Sequence, residues 1–304
     1  MKHRKHLSHA NGSRSAAIPV ISLSLLALAF TLAFTLAFNG EANAAATSVS
    51  LGSAGTYAVL AGSTVTNTGS SVITGDLGLS PGTSVTGFPP GTVSGSQNVA
   101  DAAAVTAQTD LTTAYNQAAG EGPVSPTSAA TLGAGQTLTP GVYNSASTID
   151  LTGALTLNGG GNSGAVFIFQ AGSALNVAGS ASVVLTGGAQ AGCVFWQVTS
   201  SATLGTSSTL VGTVLALTSI TADTSATVDG RLLARNGAVT LDDNTITVPL
   251  TCAASATSTT TAAATTTTTK SATTATKPSS AATTTTVPTA TTSPTVPTPA
   301  RVTG

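Results

Sequence analysis

Charge is what this chain has least of. Lysine, arginine, aspartate and glutamate make up 6% of its 304 residues, where about a quarter is usual in globular proteins. A surface so poor in charge has to be built from hydroxyls and small side chains. The formal net charge of −1 argues against nucleic acid or an anionic membrane as partner, since both demand clustered cations. Between Ala45 and Cys252 the only basic residues are Arg231 and Arg235. All three histidines, His3, His6 and His9, fall in the first ten residues, so a mature domain that begins later has none. That removes the commonest general base, the Ser-His-Asp arrangement and His-based zinc or copper sites. No metal or cofactor is expected. Polysaccharide-active β-helices need grouped carboxylates with Lys, Arg or calcium. The densest acids here are Asp223, Asp229, Asp242 and Asp243, and Asp242-Asp243 beside Asn244 reads as a turn. No catalytic residue is expected, and the chain is not read as an enzyme.

Only one long apolar run is present. Residues 18–38 follow Lys2, Arg4, Lys5 and Arg14, and Ala42-Asn43-Ala44 supplies a small-x-small cleavage site. Residues 1–44 are therefore expected to be a secretory signal, with Ala45 as the new N-terminus; an uncleaved anchor is the alternative. After Cys252 the composition turns to Thr, Ala, Ser and Pro with no apolar periodicity, so residues 253–304 are expected to be a disordered stalk, open to O-glycosylation and to association with the cell envelope. No LPxTG sorting motif and no final apolar run accompany it. Cysteine is nearly absent too: export permits a disulfide between Cys193 and Cys252, but the sequence fixes neither distance nor direction, and two buried thiols remain the alternative.

What the chain does have is repetition. Ala165-Val-Phe-Ile-Phe-Gln, Cys193-Val-Phe-Trp-Gln-Val, Thr213-Val-Leu-Ala-Leu-Thr and Arg231-Leu-Leu-Ala-Arg-Asn each open a unit of three short strands, and their starts lie 28, 20 and 18 residues apart. Such periods mark a solenoid, whose turns bury their apolar faces only by stacking. Residues 49–95 read as another such turn, with Val59, Val65 and Val72 inward and Thr64, Thr66 and Thr68 outward. Residues 96–120 predict one long helix, with a stripe at Ala100, Ala104, Ala107, Leu111, Ala114 and Ala118. It would lie along the column against Phe167, Phe169, Phe195 and Leu217. Residues 122–140 read as a connector. The expected fold is thus a mainly β solenoid over 45–252 with one helix alongside.

Alternation in the second strand of each unit turns Ile149 and Leu151, Leu175 and Val177, and their counterparts inward. Outward it leaves Thr148, Asp150 and Thr152, then Asn176, Thr203, Thr221 with Asp223, and Thr240 with Asp242, beside Thr64, Thr66 and Thr68. The central file is Thr66, Asp150, Asn176, Thr203, Thr221 and Thr240. Rungs about 4.8 Å apart, with alternate residues about 6.7 Å apart along each strand, make a rigid grid, and short β-branched Thr has little rotamer freedom to lose. A periodic flat grid of methyls and hydroxyls suits a periodic flat ligand, and ice is one. A merely solvated face is the alternative, because Thr is a standard outward residue on any sheet.

Leu51-Gly-Ser-Ala-Gly-Thr-Tyr-Ala-Val-Leu-Ala-Gly, Thr64-Val-Thr-Asn-Thr-Gly, Gly75-Asp-Leu-Gly-Leu-Ser-Pro-Gly, Ala114-Tyr-Asn-Gln-Ala, Gly141-Val-Tyr and Ala165-Val-Phe-Ile-Phe-Gln occur in an order that resembles the microbial ice-binding protein family. The resemblance covers about residues 49–250. It implies a discontinuous right-handed β-helix of triangular section flanked by a long α-helix, the N-terminal turn docking on the last C-terminal turns. It further implies binding of ice through one flat β face, often with Thr-Ala/Gly-x-Thr/Asn motifs; the chain is expected to act as a secreted monomer without cofactor, in antifreeze or ice-recrystallisation inhibition. Thr221-Ala-Asp-Thr224 fits that motif, whereas Ser173-Ala-Leu-Asn176 and Thr203-Leu-Gly-Thr206 depart from it. A surface adhesion or structural module is the competing expectation.

Overall fold

The computed structural model describes residues 46–252 except Pro123, Pro126 and Thr127. The expected leader at 1–44 and stalk at 253–304 lie outside the described residues.

Short alternating strands separated by Gly and Ser cannot bury a face within one hairpin, so each coil stacks on the next through parallel ladders. Three rows of strands result. One is an independent eight-stranded sheet, in the spatial order Thr131–Gly133, Ile149–Thr152, Leu175–Val177, Ala202–Leu204, Ile220–Ala222, Val239–Asp242, Thr64–Thr68 and Ser84–Thr86. We call it the open sheet. The other two rows share strands, because Thr209–Ala216 and Thr227–Ala234 each turn a corner without breaking. Gly212 stacks on Gly230 at that bend. A Cβ on Gly230 would lie 1.8 Å from the Gly212 carbonyl oxygen, so only glycine lets the two backbones approach so closely.

The chain closes this column out of order. The coil that begins with Tyr57–Ala61 pairs with Thr227–Ala234, setting Val59 against Leu232 and Leu60 against Leu233. Thr66 pairs with Thr240 and Ile246 with Ile73. The expected single N-terminal turn is in fact two coils, the second built from Asp76–Leu79, Ser84–Thr86 and Thr92–Val93. Likewise the expected connector at 122–140 contains the strands Thr131–Gly133 and Gln136–Leu138 of a further coil. Within the first N-terminal coil, Val59 and Val65 point inward, but Val72 is 45% exposed and its neighbour Ile73 is buried. Pairing of Ile73 with Ile246 fixes that phase, which an isolated three-residue strand does not reveal.

The long helix, α1, spans Ala102–Gly120 and is shorter than the expected 96–120. Gln97–Val99 instead adds a strand beside Asp76–Leu79. Ala100 then takes a left-handed conformation at φ 52°, and the Asp101 carboxylate caps the helix by accepting from the Ala104 amide at 2.8 Å. Its apolar stripe is Ala104, Ala107, Leu111, Ala114, Tyr115 and Ala118. From Ala107 onward this stripe packs in one cluster with Val142, Val166, Ile168, Phe195, Leu215 and Leu233. Phe195 was an expected partner and Leu217 lies partly buried at the edge, but Phe167 and Phe169 face the interior of the column. There Phe169 stacks between Tyr143 and Trp196, with ring centroids 5.4 and 4.0 Å away. Strands in this row are buried on both faces, so no polar alternation marks which side is which.

Candidate functional site

The open sheet presents a broad face away from the apolar stripe that packs under α1. Register sets Thr131, Asp150, Asn176, Thr203, Thr221, Thr240, Thr66 and Thr86 side by side in that order. Inward-facing Val65, Leu151, Leu175, Val177, Leu204, Ile220, Val239 and Leu241 are all buried, which locks the outward set in place. The structure thus brings together all six residues of the expected central file. It places Thr66 beyond Thr240 rather than before Asp150, and adds two rungs that sequence reasoning missed. A signal for both was present: Thr131-Leu-Gly repeats Thr203-Leu-Gly, and Ser84-Val-Thr repeats Thr64-Val-Thr.

The result is an unbroken run of five threonines, Thr203, Thr221, Thr240, Thr66 and Thr86. It spans about 19 Å at strand spacing. Flanking files run beside it. Thr68 pairs with Asp242, Thr152 with Gly133 and Thr64 with Ser84. Thr148 lies just before its strand and Asp223 just after its own, both half-buried.

Two carboxylates are already engaged within this surface. Asn176 donates from Nδ2 to Asp150 Oδ1 at 3.0 Å, so the rungs at the Thr131 end are tied to each other. Thr224 Oγ1 donates to Asp242 Oδ2. Side-chain amides brace the coils on either side of the seam as well. Asn67, buried between strands, donates from Nδ2 to the carbonyls of Gly69 and Gly87, each at 2.9 Å. Asn244 is buried and receives the Asp242 amide at 2.8 Å, while its Nδ2 donates to the Asp223 and Ala226 carbonyls at 2.8 and 3.2 Å. These bonds hold the turns that leave the face, not the face itself.

On the far side, buried Arg231 joins three parts of the chain. Its Nε donates to the Gly55 carbonyl at 2.8 Å, Nη1 to Thr213 Oγ1 at 3.3 Å and Nη2 to the Pro249 carbonyl at 3.2 Å. Burial pushes its pKa down to about 10, and Asp229 works against that shift. A cleft of about 370 Å³ beside it is lined by Val49, Leu51, Phe195 and Thr251 among others, and its one cation is already committed to those acceptors. Cys193 and Cys252 are bridged there, with Cα atoms 4.6 Å apart. No group of three or more His, Cys, Asp or Glu that could hold a metal occurs among the described residues.

A stacked column of parallel-paired coils with one helix along its side and a broad hydroxyl-bearing sheet defines the chain as a β-helix. The sequence model described as Ice-binding-like matches residues 59–247, and this chain belongs to that family. An ice-binding protein of Nostoc sp. (strain HG1) is 52% identical over 207 residues, 68% of this chain and 76% of that protein. One from Flavobacterium frigoris (strain PS1) is 38% identical over 217 residues, 66% of this chain and 76% of its own. Among solved structures, an ice-binding protein from an Antarctic biological consortium shares 49% identity at a TM-score of 0.63, covering 67% of this chain and 92% of that one. Another, from the Antarctic ascomycete Antarctomyces psychrotrophicus, shares 45% at 0.64, covering 66% and 98%.

Proposed function

We propose that this protein adsorbs to ice through the open sheet. The observation that carries the reading is the unbroken file Thr203, Thr221, Thr240, Thr66 and Thr86. Each rung offers one hydroxyl that both donates and accepts and one methyl that leaves water unpinned. Because the backbone ladder fixes the spacing and β-branching fixes χ1, ordering the face costs little when an ordered water layer forms on it. Attachment over many rungs then blocks growth of the covered crystal surface. Thr64, Thr68, Thr148 and Thr152 widen the contact, while Asp150, Asn176, Asp223 and Asp242 interrupt its repeat and weaken it.

In this reading residues 1–44 direct export and are removed, residues 253–304 form a stalk near the cell envelope, and a single copy suffices for binding. The test is thermal hysteresis and ice-recrystallisation inhibition by the mature chain and by Thr221→Tyr. Wild type is expected to show both activities and the variant to lose most of them with its thermal unfolding unchanged. An active wild type whose activity survives bulky changes at Thr221 and Thr240 would move the site off this sheet. An inactive wild type would favour the adhesion module.

A further inference from the structure

The open sheet ends at a corner that its neighbours share. Between it and the third row, each coil passes through a residue at positive φ: Ser180, Ser207 and Ser225 at 60°, 58° and 63°, then Asp243 at 52°. Their amides donate to the next coil, Ser207 to the Thr224 carbonyl and Ser225 to the Asp242 carbonyl, each at 3.0 Å. The three serines are exposed and in register. Beyond them the third row opens with a second outward file. Thr209 pairs with Thr227, Thr227 with Thr245, Thr245 with Val72 and Val72 with Thr92. All five are exposed. Over the same coils the file thus sets four threonines and one valine side by side, its hydroxyls interrupted at Val72 and its methyls continuous, with no acid among its rungs. Farther along the row the surface stops being flat, since Asp229 sits in a groove with Leu185, Ala189, Pro249 and Leu250.

Resting on the reading of the open sheet as an ice-adsorbing face, we infer that the strip Thr209, Thr227, Thr245, Val72 and Thr92 is a second ice-contact surface. The corner through Ser207, Ser225, Asp243 and Gly69 joins it to the first. Two ladders of the same spacing, meeting across one corner, then order water in two orientations, the second through four hydroxyls and the methyls of Val72. The protein then attaches to two differently oriented sets of ice planes, the narrower strip serving the second.

The experiment grows single ice crystals in fluorescently labelled mature protein and maps which planes take up label, alongside thermal hysteresis. Wild type is expected to mark two sets of planes. The pair Thr227→Tyr with Thr245→Tyr should lose one set and keep the other, and Thr221→Tyr should do the reverse. Thr227→Lys stands in if the tyrosine pair unfolds. The inference is overturned if wild type marks a single set, if the strip variants mark the same planes as wild type with equal hysteresis, or if Thr221→Tyr alone erases every plane. If wild type takes up no label and shows no hysteresis, the reading of the open sheet fails with it.

Discussion

Ser207 shows how a single residue can be placed by the coil rather than by its own preference. An L-residue in the left-handed region costs roughly 1–2 kcal/mol, and the same corner uses Gly153 and Gly69 in other coils, at φ 67° and 74°. Ser207→Gly is therefore expected to raise stability, by about 0.5 kcal/mol once the unfolded-state entropy of glycine is counted. A small rise in Tm in calorimetry is the check, and a fall would mean that the hydroxyl itself holds the corner. Phase is the other lesson at this scale. Thr64, Thr66 and Thr68 were legible as outward from alternation alone, because one side of that strand is buried and the other is wet. Val72 and Phe169 were not, since a three-residue strand carries too little pattern and a strand buried on both sides carries none.

Among the elements, α1 is tied by two carboxylates, Asp101 at its N-cap and Asp110 at mid-helix. Asp101 is held below its ordinary value of 3.8 by the Ala104 amide first and the Asn98 side chain second. Asp110 is held below the same value by the hydroxyl and the amide of Ser53, which tie the N-terminal segment to the helix at 2.6 and 2.7 Å. Both groups have folded pKa values lower than unfolded ones. Their contribution is complete above the unfolded value of 3.8 and is lost as pH falls through the folded values. Asp229 has the opposite sign: desolvation raises its pKa and Arg231 only partly offsets that. Its contribution is present below 3.8 and lost as pH rises through the folded value. Thermal unfolding followed from pH 5 downward should show loss of stability in the wild type and a shallower loss in Asp110→Asn. Equal slopes would discount the Ser53 tie. The helix itself was readable from its Ala-Leu stripe, but its start was not: Gln97–Val99 joins the ladder of a neighbouring coil, a contact no helical periodicity encodes.

For the whole molecule, the column is closed by pairing its N-terminal coils with its C-terminal ones and by a disulfide across 59 residues. Closing a loop of that length confines the unfolded chain and is worth about 2–4 kcal/mol. Cys252→Ser, compared with wild type by denaturant unfolding, should show that loss while leaving hysteresis near 0 °C intact, because the bridge lies away from the open sheet. Loss of hysteresis in a folded variant would tie the bridge to the face. By itself the sequence determined the solenoid, the presence of a flanking helix, and the alternation that turns Asp150, Asn176, Thr203, Thr221 and Thr240 outward in one file. All of these follow from local period and from burial of one side of a short strand. Only the tertiary structure decided that Thr66 and Thr86 continue that file past Thr240. Thr66 meets Thr240 across the seam, more than a hundred residues away in the chain, with Thr86 following on Thr66, and pairing between distant coils sets register through backbone hydrogen bonds, which no local pattern records.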